Sequence, residues 1–97
     1  MPKYQLGITP RALNDVQNAI DYYNSKQKGL GKKFYEDFKR QVSSIKKNPF
    51  TRAVRYDDIR FGVFDKFPYA MHYDIEGETI IIQGVISSFL DPETNWL

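Results

Sequence analysis

Three arginines and one histidine are the side chains of this chain best suited to chemistry. Arg52, Arg55 and Arg60 follow one another closely, and guanidinium groups bind phosphate or carboxylate through paired hydrogen bonds. His72 is the only histidine, and the usual pKa of a histidine lies near neutrality. The set predicts an anion-binding surface, or acid–base chemistry if His72 moves a proton. The alternative is structural: charges at a sheet edge that keep the sheet soluble, and a surface or hydrogen-bonded histidine of the sheet.

The sequence contains few residues suited to a phosphate-binding loop, a disulfide or a metal site. Gly29-Leu30-Gly31 lacks the Gly-Lys-Ser/Thr continuation of a phosphate-binding loop. The chain has no cysteine, so disulfides and cysteine-rich zinc sites are excluded. Asp57-Asp58 could hold a cation, but paired acids also suit a bend. We therefore predict no metal and no cofactor.

Charge is distributed unevenly along the chain, although the net charge is only +2. Residues 26–66 carry twelve Lys/Arg and five Asp/Glu, whereas residues 67–97 carry five acids and no Lys or Arg. A basic middle segment can attract nucleic acid or an acidic protein. The favoured alternative is that these charges form a solvated, lysine-rich helix face. No apolar stretch is long enough to span a membrane, and the first residues lack the apolar core of a signal peptide, so we expect a cytoplasmic protein.

Apolar spacing predicts two helices after a short first strand at residues 4–8. Thr9-Pro10 should cap the first helix, which runs to about Ser25. The second helix should cover Leu30 to Lys47 and end at Asn48-Pro49. Each helix should carry one apolar stripe: Leu13, Val16, Ala19, Ile20 and Tyr23 on the first helix, and Phe34, Phe38, Val42 and Ile45 on the second. Asp15 and Asp37 are predicted to lie on the other, solvent-facing sides of these helices.

Alternating apolar residues predict strands in the second half of the chain. They cover residues 59–64, 67–75 and 79–86, and short turns join them as an antiparallel meander. Val54-Arg55-Tyr56 could begin a further strand, interrupted by a bend or bulge at Asp57-Asp58. Ile80-Ile81-Ile82 is apolar on both faces and should lie inside the sheet. The predicted fold is α+β and a single domain over residues 1–97: a strand, a helical hairpin, then a three-stranded antiparallel meander, with the helices packed on one face of a small sheet.

An ordered set of short motifs supports a family resemblance. It comprises Ala19-Ile20-Asp21-Tyr22-Tyr23, Gly29-Leu30-Gly31 with Phe34, Ile45 to Asn48-Pro49, Tyr56 with Ile59-Arg60, Phe67-Pro68-Tyr69 leading to Tyr73, and Val85 ahead of Asp91-Pro92 and Trp96. Over nearly its whole length the chain resembles the RelE/ParE superfamily, the toxins of bacterial type II toxin–antitoxin systems, also described as plasmid stabilisation proteins. The resemblance implies a small toxin, neutralised by a partner antitoxin whose C-terminal segment wraps over it.

The resemblance leaves two toxic activities open. RelE-like members cut mRNA in the ribosome, whereas ParE-like members inhibit DNA gyrase. Many relatives carry a His after the last-strand Val and an Arg before the Asp-Pro; the matching positions here are Ser87 and Leu90. A ribonuclease needs cations near the scissile phosphate, and residues 67–97 supply none. The ParE-like, non-enzymatic activity is therefore favoured.

The candidate site residues follow from these alternatives. If the chain is a ribosome-dependent mRNA endonuclease, its catalytic candidates are Arg55, Arg60, His72 and Tyr73. The candidates for binding the target or the antitoxin are Arg52, Arg55, Arg60, Lys39, Lys46 and Trp96. A third possibility is a non-toxic module that binds the antitoxin through the basic second helix and the apolar groove beside it.

Overall fold

The computed structural model describes residues 3–87 of the chain. A short 3-10 turn at Pro49–Thr51 separates two helices and a first strand from four further strands. The helices are α1 (Pro10–Lys26) and α2 (Leu30–Lys47). The strands are β1 (Gln5–Ile8), β2 (Val54–Tyr56), β3 (Ile59–Val63), β4 (Tyr69–Glu76) and β5 (Thr79–Ser87). The predicted order of elements is confirmed, and α2 has its predicted bounds.

All five strands form one mixed sheet in the order β1-β5-β4-β3-β2. Strands β3, β4 and β5 make the predicted antiparallel meander, and β2 adds an antiparallel strand beside β3. Strand β1 pairs in parallel with β5, so that Leu6 lies beside Ile80 and Ile8 beside Ile82. The apolar strand β5 is therefore an interior strand, as predicted. Strand β1 is left as one edge of the sheet.

The helices begin and end where local chemistry favours it, and they pack together over one face of the sheet. The Thr9 hydroxyl accepts the backbone N–H of Ala12 at 3.1 Å, with Pro10 at the first helical position. This confirms the predicted cap. Gly29, with a φ of 86°, joins the two helices in a left-handed conformation that glycine adopts without strain.

The core lies between the helices and the covered face of the sheet. Met71, Tyr73, Ile80 and Ile82 are fully buried there. Phe34 of α2 occupies the centre of an aromatic cluster. Its ring centroid lies 4.9–5.6 Å from the ring centroids of Tyr23, Phe64, Phe67 and Tyr69. Aromatic pairs at these distances stabilise a core beyond the area they bury.

Two residues of α1 differ from their predicted positions. Leu13 is 57% exposed, because Ala12 and Val16 take the buried positions of that helical turn. Asp15 was predicted to face water, but it also makes a contact within the protein: its carboxylate accepts the backbone N–H of Val85 at 3.0 Å. Val85 lies beyond the part of β5 that β1 reaches. Asp15 therefore supplies the hydrogen bond that a neighbouring strand would otherwise make.

Asp37 of α2 holds the loop between β3 and β4. It was predicted to lie among the solvent-facing charges, but it is fully buried. Its carboxylate accepts the backbone N–H groups of Asp65 at 3.2 Å, Lys66 at 2.8 Å and Phe67 at 3.1 Å. The Arg40 guanidinium lies 3.4 Å away. The helical pattern gives no sign of this role, because the loop is 28 to 30 residues further along the chain.

Strands β2 and β3 are joined by a two-residue turn at Asp57-Asp58. Both residues have positive φ angles, 42° and 67°, as in the type I′ hairpin turns that favour Asn-Gly. The pairing register shifts between Val54 and Tyr56. The predicted bend at Asp57-Asp58 is confirmed, and the irregular pairing lies before it, within β2.

Replacing this turn by Asn-Gly (D57N/D58G) should stabilise the protein by about 1 kcal/mol, since a left-handed conformation costs most residues roughly 1–2 kcal/mol. We expect the Tm to rise by about 4–8 °C in thermal unfolding followed by circular dichroism. The control D57A/D58A removes the same charges but keeps the strain, and it should not gain stability. A lower Tm for D57N/D58G would contradict the turn geometry.

Neither of the two described helices has the length and apolar character that a membrane span requires.

Candidate functional site

Arg60 and Tyr73 lie opposite each other on β3 and β4, on the face that the helices cover. The Tyr73 hydroxyl donates to the carbonyl of Pro49 at 2.8 Å, and the side chain is fully buried. Burial raises the pKa of Tyr73, and the positive charges of Arg52 and Arg60 offset part of that rise. The phenol therefore keeps its proton at neutral pH. It anchors the 3-10 turn and does not face an open site.

The two arginines on this face hold the connector that follows α2. The Arg60 guanidinium donates to the carbonyls of Phe50 and Arg52, and its Cζ lies 5.3 Å from the centroid of the Phe50 ring. Arg52 donates to Ser44 Oγ at 3.2 Å and to Gln41 Oε1 at 3.4 Å. These contacts tie the connector to α2 and to the sheet.

Arg55 lies on the opposite face of the sheet, with Phe61 and His72. Its Cζ is 5.2 Å from the centroid of the Phe61 ring, and the ring centroids of Phe61 and His72 are 3.7 Å apart. Because neighbouring residues of a strand point to opposite faces, Arg60 and Phe61 are separated by the sheet. The structure therefore does not bring the three predicted arginines together: Arg52 and Arg60 share one face, and Arg55 occupies the other.

His72 is neutral at physiological pH. Burial, followed by the positive charges of Arg11 and Arg55, lowers the pKa of His72 to about 3. The imidazole packs on Phe61 as part of an aromatic layer. A group with so low a pKa is a poor general acid near pH 7, where a useful pKa lies close to the working pH.

Stability should depend on pH through His72. The pKa of His72 is about 3 in the folded protein and about 6.5 in an unfolded chain, so protonation favours unfolding. The contribution of the neutral imidazole is fully present above about pH 6.5 and is lost as the pH falls toward 3. We expect a loss of about 2 kcal/mol between pH 7 and pH 5.

Urea unfolding at the two pH values measures this loss, and His72→Leu should remove about 2 kcal/mol of the difference. The imidazole proton resonances are unambiguous, since the chain has one histidine. They should not titrate above pH 5. A titration midpoint near pH 6.5 would contradict the burial of this ring.

The four candidates for RNA cleavage do not form an acid–base site. Tyr73 and Arg60 bind backbone carbonyls on the covered face. His72 is buried and neutral on the other face, and only Arg55 of the four is exposed. Among residues 3–87, moreover, no group of three or more His, Asp or Glu side chains is placed to hold a metal ion.

A groove of about 780 Å³ runs between the edge strand β1 and helix α2, and we call it the β1–α2 groove. Apolar and aromatic side chains line it: Tyr4, Leu6, Ile8, Tyr35, Phe38 and Val42. The charged side chains that line it are all lysines: Lys3, Lys39, Lys46 and Lys47. An apolar groove with a basic border fits an acidic, partly apolar protein segment.

The sequence predicted one wall of this groove. Lys39 and Lys46 do lie beside an apolar groove along α2, as predicted, and their role in binding stays a prediction. The residues of β1 were missed, because their position depends on a parallel pairing with a strand more than 70 residues away. A possible signal was Tyr35, an aromatic residue outside the buried stripe of α2 that is 43% exposed.

Part of the predicted site lies outside the described residues. Trp96, a candidate contact for the antitoxin or the target, is among them, as is Leu90. Ser87, which replaces the histidine of many relatives, is the last residue of β5.

No protein-family model and no curated protein sequence matches the chain. Among solved structures, a chain of "Chromosomal ParDE TA system from P. aeruginosa" matches with a TM-score of 0.78 and 19% sequence identity. The match covers 90% of this chain and 98% of that chain. The two chains share a fold, and the predicted α+β fold, with two helices on one face of a small sheet, is confirmed.

Proposed function

We propose that this chain is the toxin of a type II toxin–antitoxin system, of the ParE-like kind, which inhibits DNA gyrase in the cytoplasm and is neutralised by a cognate antitoxin. The observation that carries the proposal is the structural likeness to a chain of a ParDE system, which extends over 98% of that chain at a TM-score of 0.78. Fold alone does not determine function, so the arrangement of side chains must support it.

The arrangement of side chains is better suited to an inhibitor that acts by binding its target than to an enzyme that cleaves RNA. Proton transfer in a ribonuclease needs a group with a suitable pKa within reach of the substrate. His72 is buried with a pKa of about 3, and the Tyr73 hydroxyl is bound to the Pro49 carbonyl. An inhibitor needs neither group, because it acts through complementary surfaces.

The β1–α2 groove is the surface that best fits the antitoxin. It combines apolar walls with four lysines, Lys39 and Lys46 among them. Arg52 and Arg60 are less suited to this role than predicted, since both guanidinium groups already bind the chain's own connector. Arg55 is exposed on the opposite face and is therefore the arginine we assign to the target surface.

Induction of the chain in bacteria, with pulse labelling of DNA and protein synthesis, tests this function. We expect DNA synthesis to stop first and double-strand breaks to appear, and Arg55→Glu should delay both effects. An immediate stop in translation with cut mRNA would contradict gyrase inhibition and indicate the ribosome-dependent endonuclease. Unimpaired growth at a confirmed level of folded protein would instead indicate a non-toxic module that binds antitoxin.

A further inference from the structure

The basic residues of α2 follow a regular pattern. They occur as three adjacent pairs, Lys32-Lys33, Lys39-Arg40 and Lys46-Lys47, and each pair follows the one before it by seven residues. All six residues are exposed. Seven residues make nearly two helical turns and advance about 10.5 Å along the axis. The pairs therefore recur on the same side of the helix.

The pairs form two parallel rows of positive charge along α2. The groove-side row consists of Lys32, Lys39 and Lys46, and the loop-side row consists of Lys33, Arg40 and Lys47. Neighbouring residues of a helix are about 100° apart around its axis, so the rows border the outward face of α2 on its two sides. Arg40 lies beside Asp37, which holds the β3–β4 loop, and its side chain is still 46% exposed.

The strip between the two rows carries polar side chains. Glu36 and Ser43, also seven residues apart, lie there, and both are exposed. The centre of a protein–protein interface is usually apolar or aromatic and poor in charge, and this strip offers no such side chain. A phosphate backbone is bound by cations and hydrogen-bond donors instead. The outward face of α2 therefore fits a nucleic acid better than it fits a protein.

We propose that the outward face of α2 binds duplex DNA, with the helix in the major groove and the two rows on the phosphates of opposite strands. The major groove is about 12 Å wide and admits an α-helix. From Lys32 to Lys47 the rows extend about 22 Å, enough to contact several phosphates on each strand. Contacts of this kind position a protein on DNA without reading its sequence.

This inference goes beyond the proposed function and does not depend on gyrase as the target. Only one consequence rests on the proposed function: in a gyrase inhibitor, the same face would contact the DNA on which gyrase acts. The loop-side row lies away from the β1–α2 groove. Substitutions in that row therefore test DNA binding without altering the groove.

Glu36 supplies a second, independent test. Its carboxylate lies between the rows, where it opposes the approach of a polyanion. Glu36→Gln should therefore bind DNA about threefold more tightly at low salt. The matched control Asp21→Asn removes one exposed carboxylate from α1 and should stay within about twofold of the unchanged chain.

The test measures binding of the purified chain by fluorescence anisotropy. The probes are a short labelled DNA duplex of mixed sequence, the duplex RNA of the same sequence, and a labelled polyglutamate peptide of equal charge. Titrations are repeated at several salt concentrations between about 50 and 200 mM. NMR titration with the DNA duplex then identifies the amides whose resonances move.

We expect the DNA duplex to bind with a salt dependence set by the two rows. Six phosphate contacts predict a slope of about −5 for log K against log salt concentration. The variant K33E/K47E should reduce that slope by about 2 and weaken binding on the order of tenfold at low salt. The control K26E/K28E makes the same change of charge before α2 begins and should weaken binding by less than about threefold. The amides that move should belong to α2.

Duplex RNA and polyglutamate should both bind more weakly than DNA. The major groove of duplex RNA is deep and narrow, so α2 cannot enter it. Equal binding of the RNA duplex would therefore overturn the proposed binding mode. Tighter binding of polyglutamate would overturn the choice of DNA and indicate an acidic protein as the partner of this face.

Two further results would overturn the inference. One is binding of the DNA duplex weaker than about 1 mM at low salt, which would leave the rows as a solvated face. The other is unchanged DNA binding by both K33E/K47E and Glu36→Gln. A chain that binds DNA as expected but leaves gyrase active would retain this inference and contradict only the proposed function.

Discussion

Replacing Asp37 by alanine should lower the free energy of unfolding by about 3–5 kcal/mol. The carboxylate is fully buried and accepts three backbone N–H groups of the β3–β4 loop, at 2.8 to 3.2 Å. Alanine leaves those donors without their acceptor and removes the anion beside Arg40, whose guanidinium lies 3.4 Å away. A hydrogen bond to a charged group contributes about 1.5–3 kcal/mol, so the loss of these three part-buried bonds is large for a domain of this size.

Urea unfolding of matched variants measures this loss. Asp37→Asn keeps the shape and one oxygen acceptor, so it should cost clearly less than alanine. Glu36→Ala removes an exposed carboxylate one position earlier and should stay within about 0.5 kcal/mol of the unchanged chain. If Asp37→Ala unfolds at the same urea concentration as Glu36→Ala, with equal m-values, the role assigned to Asp37 is contradicted.

Replacing Gly31 by alanine should cost about 2–3 kcal/mol, because the backbone of α1 lies against Gly31 of α2. A Cβ atom on Gly31 would lie 2.6 Å from the carbonyl oxygen of Ile20 and 2.7 Å from the Asn24 side chain. The carbonyl belongs to a helix backbone and cannot turn aside. The change also disturbs the hydrogen bond from the Gly31 N–H to Asn24 Oδ1, at 2.9 Å. Helix propensity alone would make the alanine variant more stable, since alanine is favoured over glycine in a helix by about 1 kcal/mol.

Gly29→Ala is the matched control, two residues away. Gly29 has a φ of 86°, and a Cβ atom there would have open space around it, with nothing beyond the adjacent residues within 4 Å. Its cost therefore comes from backbone strain alone and should be about 1 kcal/mol. Thermal or urea unfolding of both variants gives the comparison. A Gly31→Ala variant that is more stable than Gly29→Ala would show that the helices separate without penalty.

Local patterns predicted the helices well, because each signal acts within one or two turns. The spacing of Phe34, Phe38 and Ile45 identified the buried face of α2, and the Thr9 cap fixed the start of α1. Contacts between distant segments were not predictable in this way. The parallel pairing of β1 with β5 and the burial of Asp37 both depend on residues far along the chain.

In the candidate site, too, local features were predictable from the sequence and contacts between distant segments were not. Alternation along β3 correctly separated Arg60 from the face of Ile59 and Phe61. It could not be extended to Arg55, because the pairing register of β2 with β3 shifts at this residue, between Val54 and Tyr56. The sequence therefore grouped three arginines that the sheet divides. The burial of His72 could not be predicted from the sequence either, since Phe61 packs on it only when β3 and β4 pair.

Purified DNA gyrase provides the most direct test of the central claim. The purified chain is added to gyrase, relaxed plasmid and ATP, and supercoiling and plasmid cleavage are measured against increasing protein. The proposed function predicts that supercoiling stops as the protein approaches stoichiometry with gyrase and that linear plasmid accumulates. The variant Arg55→Glu, altered at an exposed site, should require more protein for the same effect. Undiminished supercoiling at a large excess of the folded chain would contradict gyrase inhibition.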